Sequence, residues 1–238
     1  MKKAFLVELT VLTGYIKQLL PIAAIVGIFI AIGTGNTVAL AGIFVSMFCM
    51  MGAMAASAYD DANNWGGYRL TFPLSRRDVV LGRYAAVTAM GVLGIAAGVL
   101  LQALAAVVGG LGILPSDISS TLTLTEGDIL ASVFSIFCCL FMGMTAAAFA
   151  IPVYFKFGNT KATQFLPMMV MGGYCLIMIA MGNLSQHVDV GSVVAQVVTW
   201  IETPVGVAFC AFAFIALTVL VLSLSAAVSM GIYARRDL

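Results

Sequence analysis

No charged side chain occurs between Lys17 and Asp60, and none between Arg83 and Asp117. Runs of this kind supply the roughly 20 apolar residues that an α-helix needs to cross a hydrocarbon core about 30 Å thick. Composition agrees, since 62% of the 238 residues are hydrophobic and 9% charged, where ordinary soluble domains carry roughly a quarter of their residues charged. The blocks are continuous and lack the ten-residue alternation of a transmembrane β-barrel. The sequence therefore predicts an all-α integral membrane protein, with residues 1–238 as a single transmembrane domain.

Six blocks have the character of membrane spans, at about 18–32, 37–59, 84–108, 129–154, 163–181 and 204–233. Ahead of them, Phe5, Leu9 and Leu12 recur at helical spacing among Lys2, Lys3, Glu8 and Lys17, which predicts a helix lying flat at the membrane surface. Glu8 and Lys17 also interrupt any clean signal-peptide core, so the N-terminus is expected to be retained. Gly33-Thr34-Gly35-Asn36 reads as a tight turn. The short apolar patch at 193–201 predicts an outer interfacial helix anchored by Trp200, and Pro204 suits the first turn of span 6. With six spans and both termini cytoplasmic, all 11 basic residues fall on the inner side and none on the outer, as the positive-inside rule requires.

The spans themselves lack acidic, basic and histidine side chains, which argues against an ion- or proton-coupled carrier. Their polar groups are Gln102, Gln164 and hydroxyls such as Ser46, Thr88, Ser135, Thr145 and Ser225, suited to bonds between helices or to their own backbone. Gly91, Gly94, Gly98, Gly143 and Ala147 read as close-packing faces, and Met47, Met50, Met51 and Met54 as adaptable packing. His187 stands outside every catalytic or metal-binding pattern, and the P-loop signature is absent. Cys49, Cys138, Cys139, Cys175 and Cys210 sit in apolar blocks as small hydrophobes. No catalytic, metal or cofactor-binding residue is assigned, and no nucleic-acid partner is expected.

The longest polar interval, Asp60 to Tyr84, holds seven of the charged residues. From Asp61, the residues Trp65, Tyr68, Arg69 and Phe72 recur as one helical face. That face suits a soluble partner, or equally an interfacial loop packed into headgroups. Asp60 and Asp61 are expected to open this new helix, because carboxylates are disfavoured at the C-terminus of the preceding one. Gly66 and Gly67 each cost such a helix about 1 kcal/mol relative to Ala. Pro73 ends the element, Ser75 with Asp78 forms a cap for the next helix, and Arg76, Arg77 and Arg83 are expected to stay at the cytoplasmic surface as span 3 begins.

The acidic pair Asp60-Asp61, the aromatic segment and the run Leu70-Thr71-Phe72-Pro73-Leu74-Ser75-Arg76-Arg77-Asp78-Val79-Val80-Leu81-Gly82-Arg83-Tyr84 together resemble the type-2 ABC exporter permeases, in their small six-span bacterial form with the ATPase on a separate chain. The resemblance implies a cytoplasmic coupling helix between spans 2 and 3, with Asp60, Asp61, Trp65, Tyr68, Arg69 and Phe72 facing the ATPase. It further implies a dimer with a second permease copy, identical or not, in the bacterial cytoplasmic membrane. ATP and Mg would be held by the partner chain. The charge-free spans favour a hydrophobic or amphipathic cargo, peptide or drug-like. The rival reading is a membrane scaffold or channel subunit with no ATPase partner.

Overall fold

The computed structural model describes residues 2–62, 75–111, 121–158, 165–184 and 203–234, together with Pro115, Ser119, Thr160, Thr163, Thr199 and Trp200. Among these residues, six long helices carry the fold: α1 (Lys2–Thr34), α2 (Leu40–Ala62), α3 (Arg76–Gly110), α4 (Glu126–Phe157), α5 (Leu166–Leu184) and α6 (Pro204–Ala234). No strand occurs among the described residues. Among the described residues, α1, α2, α3, α4 and α6 are long and apolar enough to cross a membrane. Trp65, Tyr68, Arg69, Phe72, Gln164, His187 and most of the expected outer helix lie outside the described residues.

The expected surface helix and the first span are one element. α1 runs unbroken for 33 residues with Pro21 inside it, where the missing N–H and the ring's crowding of the preceding turn would break a less supported helix. One face of its first turns is held by protein: Ala4, Glu8 and Leu12, spaced four apart, are all buried. Ala4 lies against the backbone of Gly82 in α3. At 1.5 Å per residue α1 is about 50 Å long, well beyond a ~30 Å hydrocarbon core, so the charged first half continues the helix past the apolar block. α1 stops at Gly35, whose φ of 68° favours a residue without Cβ. Asn36 N–H donates to Ala31 C=O at 3.1 Å and Gly35 N–H to Ile32 C=O at 3.4 Å, the paired bonds of a Schellman stop.

A second expectation also changes. Asp60 and Asp61 do not open a new helix; they occupy the last turns of α2, which continues to Ala62. α3 begins two turns before the predicted span, at Arg76, with the Ser75 hydroxyl accepting from Asp78 N–H at 3.1 Å. α4 opens on a reciprocal cap in which Thr125 Oγ1 accepts from Asp128 N–H and the Asp128 carboxylate accepts from Thr125 N–H.

α2 is the buried axis of the bundle. Among the described residues it packs on α1, α3 and α4; α6 covers α4 and α3, and α5 packs substantially on α4 alone. One core cluster joins α2, α3, α4 and α6 through residues such as Val45, Cys49, Val80, Val87, Met144 and Ile151. The other joins α1, α2 and α3 through Leu12, Phe44, Phe48, Ala86 and Met90. Small residues let these helices meet almost backbone to backbone. A Cβ on Gly98 would stand 2.8 Å from Ala41 O and 2.9 Å from its Cα, and one on Gly143 would stand 3.0 Å from Ser46 Cα. The outward faces are apolar, with Ile25, Phe29, Leu100, Leu104, Phe212 and Leu224 exposed, as lipid contact demands.

Candidate functional site

The start of α1, the end of α2, the start of α3 and the ends of α4 and α6 gather at one end of the bundle around Arg83. Its guanidinium donates from Nε to Glu8 Oε1 at 3.1 Å, from Nη2 to Asp60 Oδ2 at 2.5 Å and from Nη1 to Ser57 Oγ at 3.4 Å. The Arg83 side chain is 2% exposed and that of Glu8 3%. This cation is expected at the surface and is instead enclosed. Lys17, exposed on α1, lies nine residues beyond Glu8, about 13 Å along the helix. The enclosure is therefore by protein on the charged side of the apolar block.

Local sequence explains the placement. Val79, Val80, Arg83, Tyr84 and Val87 fall on the buried stripe of α3, so its inward face puts a charge into the bundle. Glu8 occupies the equivalent inward position on α1, between Ala4 and Leu12. Asp60 ends α2 where the helix dipole disfavours a carboxylate, and the Arg83 cation offsets that. A planar fork with several donors suits two carboxylates approached from different sides. The cation also lies 5.6 Å from the Phe155 ring centroid, a cation–π distance. Phe155 of α4 in turn packs on Tyr233 of α6 at 5.1 Å.

Arg76 closes the same end from α3 onto α6, with Nη1 donating to the carbonyls of Tyr233 at 3.0 Å and Ala234 at 3.1 Å. These are among the last carbonyls of α6, which have no partner within the helix. One turn further in, the Tyr84 hydroxyl lies 2.6 Å from Ser225 Oγ and 2.8 Å from Ser229 Oγ. Ser225 spends its proton on Ala148 C=O. Since each hydroxyl has one proton, the order is Ser229 to Tyr84 to Ser225 to Ala148, a relay across α6, α3 and α4. At the opposite end, Gln102 Nε2 donates to Thr37 C=O at 3.2 Å and Ser132 Oγ at 2.7 Å.

The structure thus brings Asp60 into an ion pair and Ser75 with Asp78 into the cap of α3. Asp61 is placed only by its backbone, on α2, and the aromatic face is not described. Sequence reasoning missed Glu8, Ser57 and Phe155 as partners of Arg83, and Tyr233 as a partner of Arg76 and Phe155. The available signal was a charge interrupting an apolar stripe, at Glu8 within 4–12 and at Arg83 within 79–87. No cluster able to hold a metal ion occurs among the described residues.

The family model described as "ABC-2 family transporter protein" matches residues 5–234. The chain belongs to the ABC-2 transporter family. It is accordingly a multi-pass membrane protein and a permease subunit of an ABC transporter. The match runs from the first turn of α1 to the last residue of α6, so every helix contributing to the Arg83 cluster lies inside the ABC-2 region. No curated protein and no solved structure matches the chain significantly.

Proposed function

We propose that this ABC-2 subunit is the membrane half of an ATP-driven exporter, working as a dimer of six-span chains with a separate ATPase. The match over residues 5–234 carries the reading, because a permease of this kind has no nucleotide site of its own and needs a partner that supplies ATP hydrolysis. α5 serves as the sixth crossing, its 19 residues giving about 28 Å of helix, close to the core thickness. The charged end of the bundle faces the cytoplasm, as the one-sided placement of the 11 basic residues supports.

The segment from Asp60 to Pro73 is the ATPase-coupling element, with Asp61, Trp65, Tyr68, Arg69 and Phe72 at the contact. Its two stems are the end of α2 and the capped start of α3. ATP-driven closure of the ATPase pair pushes those stems, and the two bundles move apart or together around a pathway between them. The cargo is hydrophobic or amphipathic. Tagged protein expressed with its neighbouring reading frames tests the proposal: an ABC ATPase co-purifies, and Trp65→Ala with Phe72→Ala abolishes the capture. Failure of the wild-type chain to retain any ATPase overturns it.

A further inference from the structure

We propose that Arg83 is a positioning residue that passes movement of the 63–74 segment sideways to α1, so that three helices and not two respond to the ATPase. The inference rests on the coupling role proposed above. The segment is joined covalently only to α2 and α3. α1 is separated from it in sequence by the whole of α2, and its first turns reach the segment's stems through the apolar packing of Phe5 and Leu12 with Ala55, Ala56 and Ala86, through Ala4 on Gly82 and through the ion pair of Glu8 with Arg83, which is the directional one of the three.

The geometry makes that link stiff. Asp60 lies three residues before the segment and Arg83 nine after it, so their ion pair closes the two stems onto each other. Glu8 takes the remaining edge of the same guanidinium. Three nitrogens of one planar group are thus committed to three side chains on two other helices. The planarity fixes the directions of α1 and α2 relative to α3 at once. Enclosure excludes water that would otherwise replace a lost partner and let the joint slip. The Phe155 ring beneath the cation extends the joint to α4, and Tyr233 and Arg76 extend it to α6.

A joint that merely stabilises the fold would show itself only in the amount of folded protein. A joint that transmits movement shows itself in where the movement goes. The test is amide hydrogen exchange on the full chain with its ATPase in lipid nanodiscs, without nucleotide and trapped with ATP and vanadate. In the wild type, trapping changes exchange both in 63–74 and in residues 2–12 of α1. In Glu8→Gln, which keeps the Arg83–Asp60 pair, the change in 63–74 persists while that in α1 falls at least about five-fold, the low end of ordinary coupling strengths. Arg83→Lys gives an intermediate loss of the α1 response.

An undiminished α1 response in Glu8→Gln overturns the proposal, as does a wild type whose α1 never responds although 63–74 does. A wild-type chain that captures no ATPase is seen before any variant is made and removes the functional reading together with this one.

Discussion

Arg83 is enclosed with two carboxylates, and removing it leaves Glu8 and Asp60 facing one another without the cation between them. Breaking a buried pair from one side destabilises by about 3 to 5 kcal/mol. Arg83→Leu should therefore lower the unfolding midpoint in detergent sharply, and adding Glu8→Gln and Asp60→Asn should recover part of the loss. Two tyrosines give a finer contrast. Tyr84→Phe breaks a relay across three helices and should cost about 0.6 kcal/mol, up to about 1.7. Tyr154 has a buried hydroxyl with no hydrogen-bond partner among the described residues, so Tyr154→Phe should be neutral or stabilising in the same melt. At this scale the sequence was half legible. Asp60, Ser75 and Asp78 stood out as polar residues in a polar interval, whereas Glu8 and Arg83 drew less notice. Each reads as a boundary charge until its neighbours four residues away prove to be core.

Helix existence was the most legible property of the elements, because continuous apolar runs without the alternation of a barrel strand leave the helix as the structure that satisfies the backbone in lipid. Their ends were less so. The predicted third span began at Tyr84, but the helix begins at Arg76, since a capped and charged first turn is polar and still helical. Replacing Ser75 by Ala should cost about 1 kcal/mol, as the loss of an N-cap ordinarily does, and fray the first turn of α3 in exchange measurements. α1 shows the opposite error, in which a polar first half looked separable from an apolar second half and is continuous with it, because Ala4, Glu8 and Leu12 find protein to pack on. The Gly faces were legible and their tightness was not. Gly98→Ala meets backbone atoms of Ala41 that cannot rotate away, so it should separate α2 from α3 and reduce the folded yield. Gly231→Ala, with no atom within 4 Å of its Cβ, should be neutral or gain up to about 1 kcal/mol in helix propensity. Thermal melts of the two variants side by side decide it.

For the whole molecule, the placement of basic residues makes the arrangement in the membrane testable directly. A reporter fused after Ser120, between α3 and α4, should behave as external, and one fused after Leu238 as cytoplasmic. The helices also differ greatly in reach. α3, with 35 residues, extends about 52 Å, whereas α5, with 19, extends about 28 Å. Among the described residues α3 is braced on several sides, while α5 packs substantially on α4 alone and is tied to it by the Thr145–Tyr174 hydroxyl pair. A helix that is both short and singly held is the one that a thicker bilayer leaves mismatched, and mismatch acts through tilt, local thinning or altered association. The acyl-chain length of the host lipid thus acts on this subunit chiefly through α5, and reconstitution into short-, medium- and long-chain phosphatidylcholine should shift the exposure of Cys175 to thiol reagents while leaving Cys49, sealed on the axis of the bundle, untouched.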